Sequence, residues 1–440
     1  MPDAPLKQAQ PPNITPRPSA CPGLWRVVAA RDGGICRIKL PGGLLLADQA
    51  EAVADAAERF AGGVIEATNR ANLQIRGIGN DHRGLVECLL AAGLGPREAA
   101  GDDVRNLMLS PLAGLDPSML LDTRPLAGQI LDLLEGTPRF HELSAKFAVQ
   151  LDGGEGLAML EHPHDLWLSA AQFEQRTWLM FGLAGCPADQ PVGAVPVEQG
   201  LALVRAVLAR FLDLATPEQS RMRQLLATCS VEQFIDGLAI RRDDAVLNWR
   251  RAKAPGAWLG VLAQGQGVAL GVAPPLGRLT PAMLRGAAHI ARQWGDGSLR
   301  LSPWQSLVLT SVAQESIGQA RDQLAALGLL CAPDQPLARV AACTGSSGCA
   351  KALADTKADA VTLAARLQHG APASVHLSAC PRSCAVAHVA PATLLACAPG
   401  RYDLYLRDAR LPGFGRLRAA NLTPEEAGAM LDLPTEHLDD

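Results

Sequence analysis

Two stretches of this chain match each other at a constant offset of 234 residues, and no other feature constrains the fold as strongly. The first reads "IKLPGGLLLADQAEAVADAAERFAGGVIEATNRANLQIRGI" and the second "GVAPPLGRLTPAMLRGAAHIARQWGDGSLRLSPWQSLVLTSV". The offset carries Pro41 to Pro275, Gly43 to Gly277, Leu45 to Leu279, Gly63 to Gly297 and Thr68 to Ser302 without a gap. Chance rarely produces such a run, so the chain contains an internal duplication. Each copy predicts a short apolar strand that ends at Pro-x-Gly, where a turn is the natural conformation. A helix follows. In "LADQAEAVADAAERFA" Ala and Val share one face with acids opposite. "TPAMLRGAAHIARQW" opens on Thr280 as N-cap, with Pro281 at the first helical position. Gly62 and Gly295 are expected to close these helices before a second strand begins.

Strand–helix–strand units of this size read as ferredoxin-like modules, so the expected fold class is α+β with duplicated ferredoxin-like half-domains. The roughly 150 residues between the copies read as a large insert, with strand-like "AKFAVQLD" and "DLWLSAA" and a strong helix at "VEQGLALVRAVLARFLDLA". Six segments are expected: a disordered tail over 1–19, half-domain 1 over 20–95 and an α/β domain over 96–245. Half-domain 2 over 246–330, a cysteine domain over 331–420 and an acidic tail over 421–440 complete the chain.

At 440 residues with 48% hydrophobic and 19% charged content, this is the composition of a globular protein of several domains. The formal charge of −4 lacks the basic excess that general nucleic-acid binding needs. Only six of the 40 basic residues are lysines, so arginine abundance by itself says little about function. The N-terminus is polar and proline-rich with no apolar core of a signal peptide, and no run of about 18 apolar residues predicts a membrane span. A reducing cytoplasm is therefore expected, where eleven cysteines would not pair as disulfides. Seven of them (Cys21, Cys36, Cys88, Cys186, Cys229, Cys331 and Cys397) are scattered singly and read as small buried hydrophobes.

The other four are grouped. "ACTGSSGCAKALADTKADA" holds Cys343 and Cys349, and "HLSACPRSCAVAHVA" holds Cys380 and Cys384. Structural zinc normally pairs ligands two to four residues apart, closer than the first pair. An iron–sulfur cluster needs four thiolates converging from a sheltered pocket. Cys380 and Cys384 can share one face of a helical turn, and Gly345 and Gly348 let the first loop fold tightly. Spacing alone leaves cluster, zinc and no metal open.

The Cys-x5-Cys … Cys-x3-Cys pattern, following a duplicated module with "TNRANLQIRGI", resembles the siroheme nitrite and sulfite reductase superfamily over about residues 20 to 420. The resemblance implies a [4Fe–4S] cluster held by Cys343, Cys349, Cys380 and Cys384, the last bridging to siroheme where that group is present. It also implies an anion pocket of two arginines and two lysines. Arg70 in "TNRANLQ", Arg105 in "DDVRNLMLSP" and Lys146 in "SAKFAV" match three of those positions, and these are the residues to which catalysis is assigned. Ala148 stands where the second lysine belongs, a departure that a reductase of small anions would feel.

That loss, the sequence "CPRSC" with Arg382 between the second pair of cysteines, and "DTKADA" after the first pair look most like the precorrin-3B synthase branch of the superfamily. This implies oxygen-dependent hydroxylation of precorrin-3A, with closure of a γ-lactone, in aerobic cobalamin biosynthesis. The implied partners are a tetrapyrrole, O2 and an electron donor linked to NADH or a ferredoxin, with no nucleic acid and no membrane. A siroheme-dependent nitrite or sulfite reductase and a non-catalytic electron-transfer protein are the alternatives. A polycarboxylate macrocycle calls for several arginine partners and a flat apolar slot. Arg70, Arg76, Arg105, Lys146 and Arg382 are the candidates for its carboxylates, each of which could equally be a surface charge. Trp304 stands in the second copy where Arg70 stands in the first, and reads either as a wall of that slot or as a core residue. A second, non-haem iron is implied for the branch, and "EHPHD" offers His162, His164, Glu161 and Asp165 for it. His376 and His388 flank the second cysteine pair and read as packing or supporting groups.

Overall fold

The structure is a computed structural model that describes residues 21–252, 257–367, 372 and 374–432. The expected N-terminal tail and the last eight residues of the expected acidic tail lie outside the described residues. Four five-stranded sheets form the frame.

The duplicated segments build two of these sheets, and each lends a strand to the other. Copy one contributes Val28–Ala30, Gly33–Ile38, Leu73–Ile78 and Val64–Ala67, and its fifth strand is Arg278–Leu279 from copy two. Copy two contributes Gly260–Ala263, Val268–Val272, Leu307–Val312 and Ser298–Leu301, completed by Leu44–Leu46 from copy one. The register is reciprocal: Leu45 lies opposite Leu299, and Leu279 opposite Ile65. The turn that makes the exchange is the Pro-x-Gly element. Gly43 sits at φ 75°, and a Cβ there would stand 2.4 Å from the Leu301 carbonyl oxygen, so only glycine lets the two copies approach this closely.

The helices Ala47–Phe60 and Pro281–Trp294 pack on one another, and a single apolar core runs through both copies. Neither half can bury its apolar face alone, which is why the duplication folds as one body. Thr280 caps its helix as expected, accepting from the Met283 N–H at 3.1 Å with Pro281 behind it. Gly295 closes its helix as expected, in extended conformation with its N–H on the Ala291 carbonyl, whereas Ala61 rather than Gly62 ends the first helix. The left-handed glycines are Gly63 and Gly297, at φ 72° and 76°, in the turns that launch the next strands.

The other two sheets share one topology. Leu107–Met108, Val149–Asp152 and Leu166–Phe173 run parallel, followed by antiparallel Arg176–Leu183 and Gly193–Pro196. Val340–Ala342, Val375–Ser378 and Ala392–Ala398 run parallel, followed by antiparallel Arg401–Leu406 and Arg416–Leu422. Each has a helix between its first two strands, Arg124–Gly136 and Thr356–Ala364. The segment read as an insert is therefore a structural copy of the cysteine domain. Residues 421–432, read as the start of a tail, complete that domain: Pro424–Leu431 buries Ala427 and Leu431 against Thr356–Ala364. Among the described residues no helix is long and apolar enough to cross a membrane.

Candidate functional site at the cysteine loops

In open α/β sheets the carboxyl ends of parallel strands are where ligands sit, and both cysteine loops leave the fourth sheet there. Cys343 directly follows Val340–Ala342, and Cys380 follows Val375–Ser378. The loops are tied to each other by Leu353 N–H donating to the Ala379 carbonyl at 3.0 Å. The Ala379 N–H donates to the Cys343 sulfur at 3.3 Å, and the Thr356 hydroxyl, which donates to the Cys343 carbonyl at 2.9 Å, lies 3.4 Å from the same sulfur. Gly345, at φ 75°, passes so close to Thr356 that a Cβ would fall 2.8 Å from its nitrogen.

Copy one of the half-domains then clamps both loops from outside. The Arg31 guanidinium donates to the Ser346 carbonyl at 3.0 Å, and Arg76 donates to the Gly348 carbonyl at 3.1 Å. Thr344 donates to Glu66 at 3.1 Å, and the Asn69 amide donates to the Cys384 carbonyl at 3.2 Å. A Cβ on Gly348 would lie within 3 Å of side-chain atoms of Thr344, Asp32 and Arg76, which would have to shift to admit it.

All four cysteines are unpaired thiols. Burial pushes the Cys384 thiol up, and the charges of Cys343, Cys380 and Cys349 push it further, with Arg382 opposing. The four sulfurs thus share one electrostatic environment. Among the described residues no three His, Cys, Asp or Glu side chains converge as they would on a single ion. A cube is different, because its thiolates stand at separate corners. Soft thiolate donors, a backbone N–H aimed at the Cys343 sulfur and a sheltered docking face fit an iron–sulfur cluster. The scattered cysteines are less uniform than expected. Cys21, Cys36, Cys186 and Cys331 are buried, Cys88 and Cys229 are half-buried, and Cys397 is exposed.

The basic candidates separate into two groups. Arg76 is buried, with two donors on Asp32 at 2.9 Å and one on Gly348, so it docks the cysteine loop and has no free face for a ligand. Arg105 is buried with Nε 3.0 Å from Glu135, an ion pair, while Nε and Nη1 lack a hydrogen-bond partner among the described residues. Its partners are Glu135 and Asp102 rather than the thiols. Arg70 is half-buried, and its guanidinium makes no hydrogen bond or ion pair with a described residue. Burial and then Arg221 draw it down to about 10. Lys146 and Arg382 are exposed. Sequence reasoning passed over Arg37, whose neighbours include Cys384, and Glu66, a carboxylate in an otherwise apolar strand. That misplaced charge was the available signal for Glu66.

The non-haem iron reading of "EHPHD" does not hold. Asp165 is ion-paired with Arg221 at 2.9 Å and accepts from the Ala148 and Met222 N–H groups. Glu161 pairs with Arg407 at 2.8 Å, and His164 Nδ1 donates to the His162 carbonyl at 2.8 Å. These side chains diverge, and each except His162 is already engaged. His162 and His164 are buried beside Arg70, and burial first, then the cationic neighbours, keeps both neutral, His164 at about 3. The His162 ring instead faces His388, with centroids 5.0 Å apart. His376 is fully buried, and neither of its ring nitrogens has a hydrogen-bond partner among the described residues.

A cleft of about 940 Å³ opens between half-domain two and the cysteine sheet. Trp304, stacked on Trp258 at 6.3 Å and 4°, forms one wall. Ala385, Val386 and His388, which follow Cys384, form another, with His162 and Arg339 supplying polar edges. This is the size and character of a small-molecule site, apolar with a few fixed polar groups.

The family described as nitrite/sulfite reductase ferredoxin-like half domain matches residues 29–92 and 262–327, the two exchanged copies. The nitrite and sulphite reductase 4Fe-4S domain matches residues 100–243, which is the sheet without the cysteine loops. The shared strand order makes the cysteine sheet its second copy. The chain is 30% identical to the ferredoxin–nitrite reductase of Zea mays chloroplasts over 398 residues, 82% of this chain and 69% of that protein. It is 28% identical to a precorrin-3B synthase of Sinorhizobium sp over 406 residues, 89% of this chain and 83% of the relative. The solved NirA protein of Mycobacterium tuberculosis superposes with a TM-score of 0.72 at 23% identity, covering 91% of this chain and 79% of that one. The exchanged half-domains, the paired α/β sheets and these matches together place the chain in the nitrite and sulphite reductase family.

Proposed function

We propose that this protein is an oxidoreductase that holds a [4Fe–4S] cluster on Cys343, Cys349, Cys380 and Cys384 and binds a tetrapyrrole in the adjoining cleft. The reaction is the oxygen-dependent hydroxylation of precorrin-3A to precorrin-3B, with closure of an acetate arm into a γ-lactone. O2 supplies one oxygen to a meso carbon and the other to water, with two electrons and two protons from outside. The donor of those electrons is a ferredoxin-type or NADH-linked reductase. The cluster, when bound, supplies electrons one at a time.

The observation that carries this reading is the position of the cleft: its wall begins at the residue after Cys384, so an occupant borders the cluster. Trp304 offers a flat apolar face to part of a macrocycle, and Val386 lines the cleft as an apolar group. Arg339 and His162 supply polar contacts at its edge, and Arg70, Lys146 and Arg382 are the cations left for carboxylates outside it. Arg70 also holds a positive field over neutral His162. Ala148, buried where a reductase of this family would carry its second lysine, and the fuller coverage of the synthase relative support the synthase over a reductase.

The test is to incubate anaerobically purified protein with precorrin-3A, a reductant and O2, and to read the product by mass. A gain of one oxygen atom is expected. No mass change with an intact cluster overturns the reading, and a siroheme absorbance band in the purified protein favours the nitrite or sulfite reductase that the family match also supports.

A further inference from the structure

One buried charge cluster lies directly behind the first cysteine loop and plays no part in the cleft. Glu66, on Val64–Ala67, faces three cations drawn from three different segments. Arg278 Nη2, from the exchanged strand of copy two, is 3.0 Å away. Arg76 Nη1 is 3.7 Å away, and Lys357 Nζ, from the helix after the loop, is 3.9 Å away. The Thr344 hydroxyl, next to Cys343 in sequence, donates to the same carboxylate. Lys357 is also fixed by the Leu276 carbonyl at 2.7 Å and the Ala342 carbonyl at 3.2 Å, so its charge cannot swing away. Burial pushes the Glu66 carboxyl up, but Lys357, Arg76 and Arg278 override it and hold it below the usual carboxylate range. Burial also draws Lys357 down, with Glu66 and the Cys343 charge opposing.

The arrangement places three cations against two carboxylates, Glu66 and the Arg76 partner Asp32, so one positive charge is uncompensated beside the Cys343 corner. A cluster on four thiolates is anionic, and reduction adds a further negative charge. Fixed charge near such a group moves its potential in a known direction: cations raise it and anions lower it.

We propose that Glu66 and Lys357 are an opposed charge pair that sets the reduction potential of the cluster through the Cys343 loop, with Glu66 lowering it and Lys357 raising it. Both are positioning residues, acting on the cluster without ligating it. The inference rests on the cluster reading of the four cysteines but not on the identity of the substrate.

The test is an EPR-monitored redox titration of the cluster-loaded protein. Glu66→Gln leaves the three cations unmasked and raises the potential, by about tenfold in the reduction equilibrium, or 59 mV for a one-electron couple. Lys357→Met lowers it by a similar amount, and the double variant returns close to wild type. Lys357→Gln provides a second reading of the lysine should the methionine variant fold poorly. Damage to the fold cannot move two variants in opposite directions. Shifts of the same sign, reversed signs, or potentials equal to wild type in loaded variants overturn the proposal. A wild-type protein that takes up no cluster overturns the cysteine reading itself, and is recognised before any titration by the absence of iron, sulfide and visible absorbance.

Discussion

The two α/β sheets of this protein have the same strand order, and they differ in what leaves their carboxyl ends. In the cysteine sheet, the loops after the first two strands carry four thiols and dock on half-domain one through Arg31, Arg76, Glu66 and Asn69. In the sister sheet, the matching loops carry carboxylates and histidines and dock on half-domain two, where Gly265 N–H donates to the Leu115 carbonyl and Leu112 and Leu157 pack on Leu262 and Val308. Docking is thus crosswise and conserved in form, while the chemistry is carried by one member only. Duplication supplied a symmetric frame, and the loops broke the symmetry. The same lesson holds for the half-domains, where Arg70 and Trp304 occupy equivalent positions, one a cation whose guanidinium has no partner among the described residues and the other the wall of a cleft.

The strongest way to break this comparison is to remove a thiol from each sheet. Cys343→Ala and Cys384→Ala should each abolish nearly all cluster iron and the visible absorbance. Cys186→Ala, in the sister sheet, should leave both unchanged. Iron analysis and an absorbance spectrum of the purified variants check it.

The next effect sharpens the contrast between the half-domains. Arg76→Met leaves Asp32 without its buried partner, removes one of the three cations around Glu66, and should cost about 3–5 kcal/mol by denaturant unfolding. Thr310, its equivalent in copy two, makes one hydrogen bond to Asp296 at 2.7 Å, and Thr310→Ala should cost only about 1–3 kcal/mol. Equal losses would remove the contrast between Arg76 and its equivalent in copy two.

Within the cleft, Trp304→Ala should weaken binding of uroporphyrin, a soluble tetrapyrrole probe, by about tenfold to a hundredfold in a fluorescence titration, the scale of a lost aromatic face. An unchanged affinity would remove Trp304 from the wall.

The smallest predicted effect compares one histidine from each sheet. His164 sits at about 3 and His376 at about 4, both lowered mainly by burial from an ordinary value near 6.5. The unfolded chain therefore binds protons that the folded chain does not, so stability falls as pH drops from about 6.5 toward those values. The slope is about 1.4 kcal/mol per pH unit for each histidine. His376→Leu should flatten its share, seen as a smaller loss of Tm between pH 6.5 and 5. An unaltered slope would mean that His376 takes up a proton without difficulty.

The duplication, the Thr280–Pro281 helix start and the four grouped thiols were all legible because they are local or repeat in register. The strand exchange was not: Leu44–Leu46 and Arg278–Leu279 are too short to signal a strand, and their partners lie over 200 residues away. The kinship of the two α/β sheets was hidden for the opposite reason, since parallel buried strands are generic apolar runs and their loops have diverged. Arginines were the hardest residues to place. A sequence shows Arg70, Arg76 and Arg105 as equals, whereas Asp32 and Glu135 engage two of them and leave the third. In the same way, "EHPHD" offered metal ligands until Arg221 and Arg407 were seen to occupy its acids.

The most direct test of the whole account is the EPR spectrum of the reduced cluster with and without a saturating tetrapyrrole. Because the cleft wall starts next to Cys384, filling it should shift the g-values of the signal. Identical spectra from a protein shown to be saturated would mean that cleft and cluster do not adjoin, and would contradict the account at its centre.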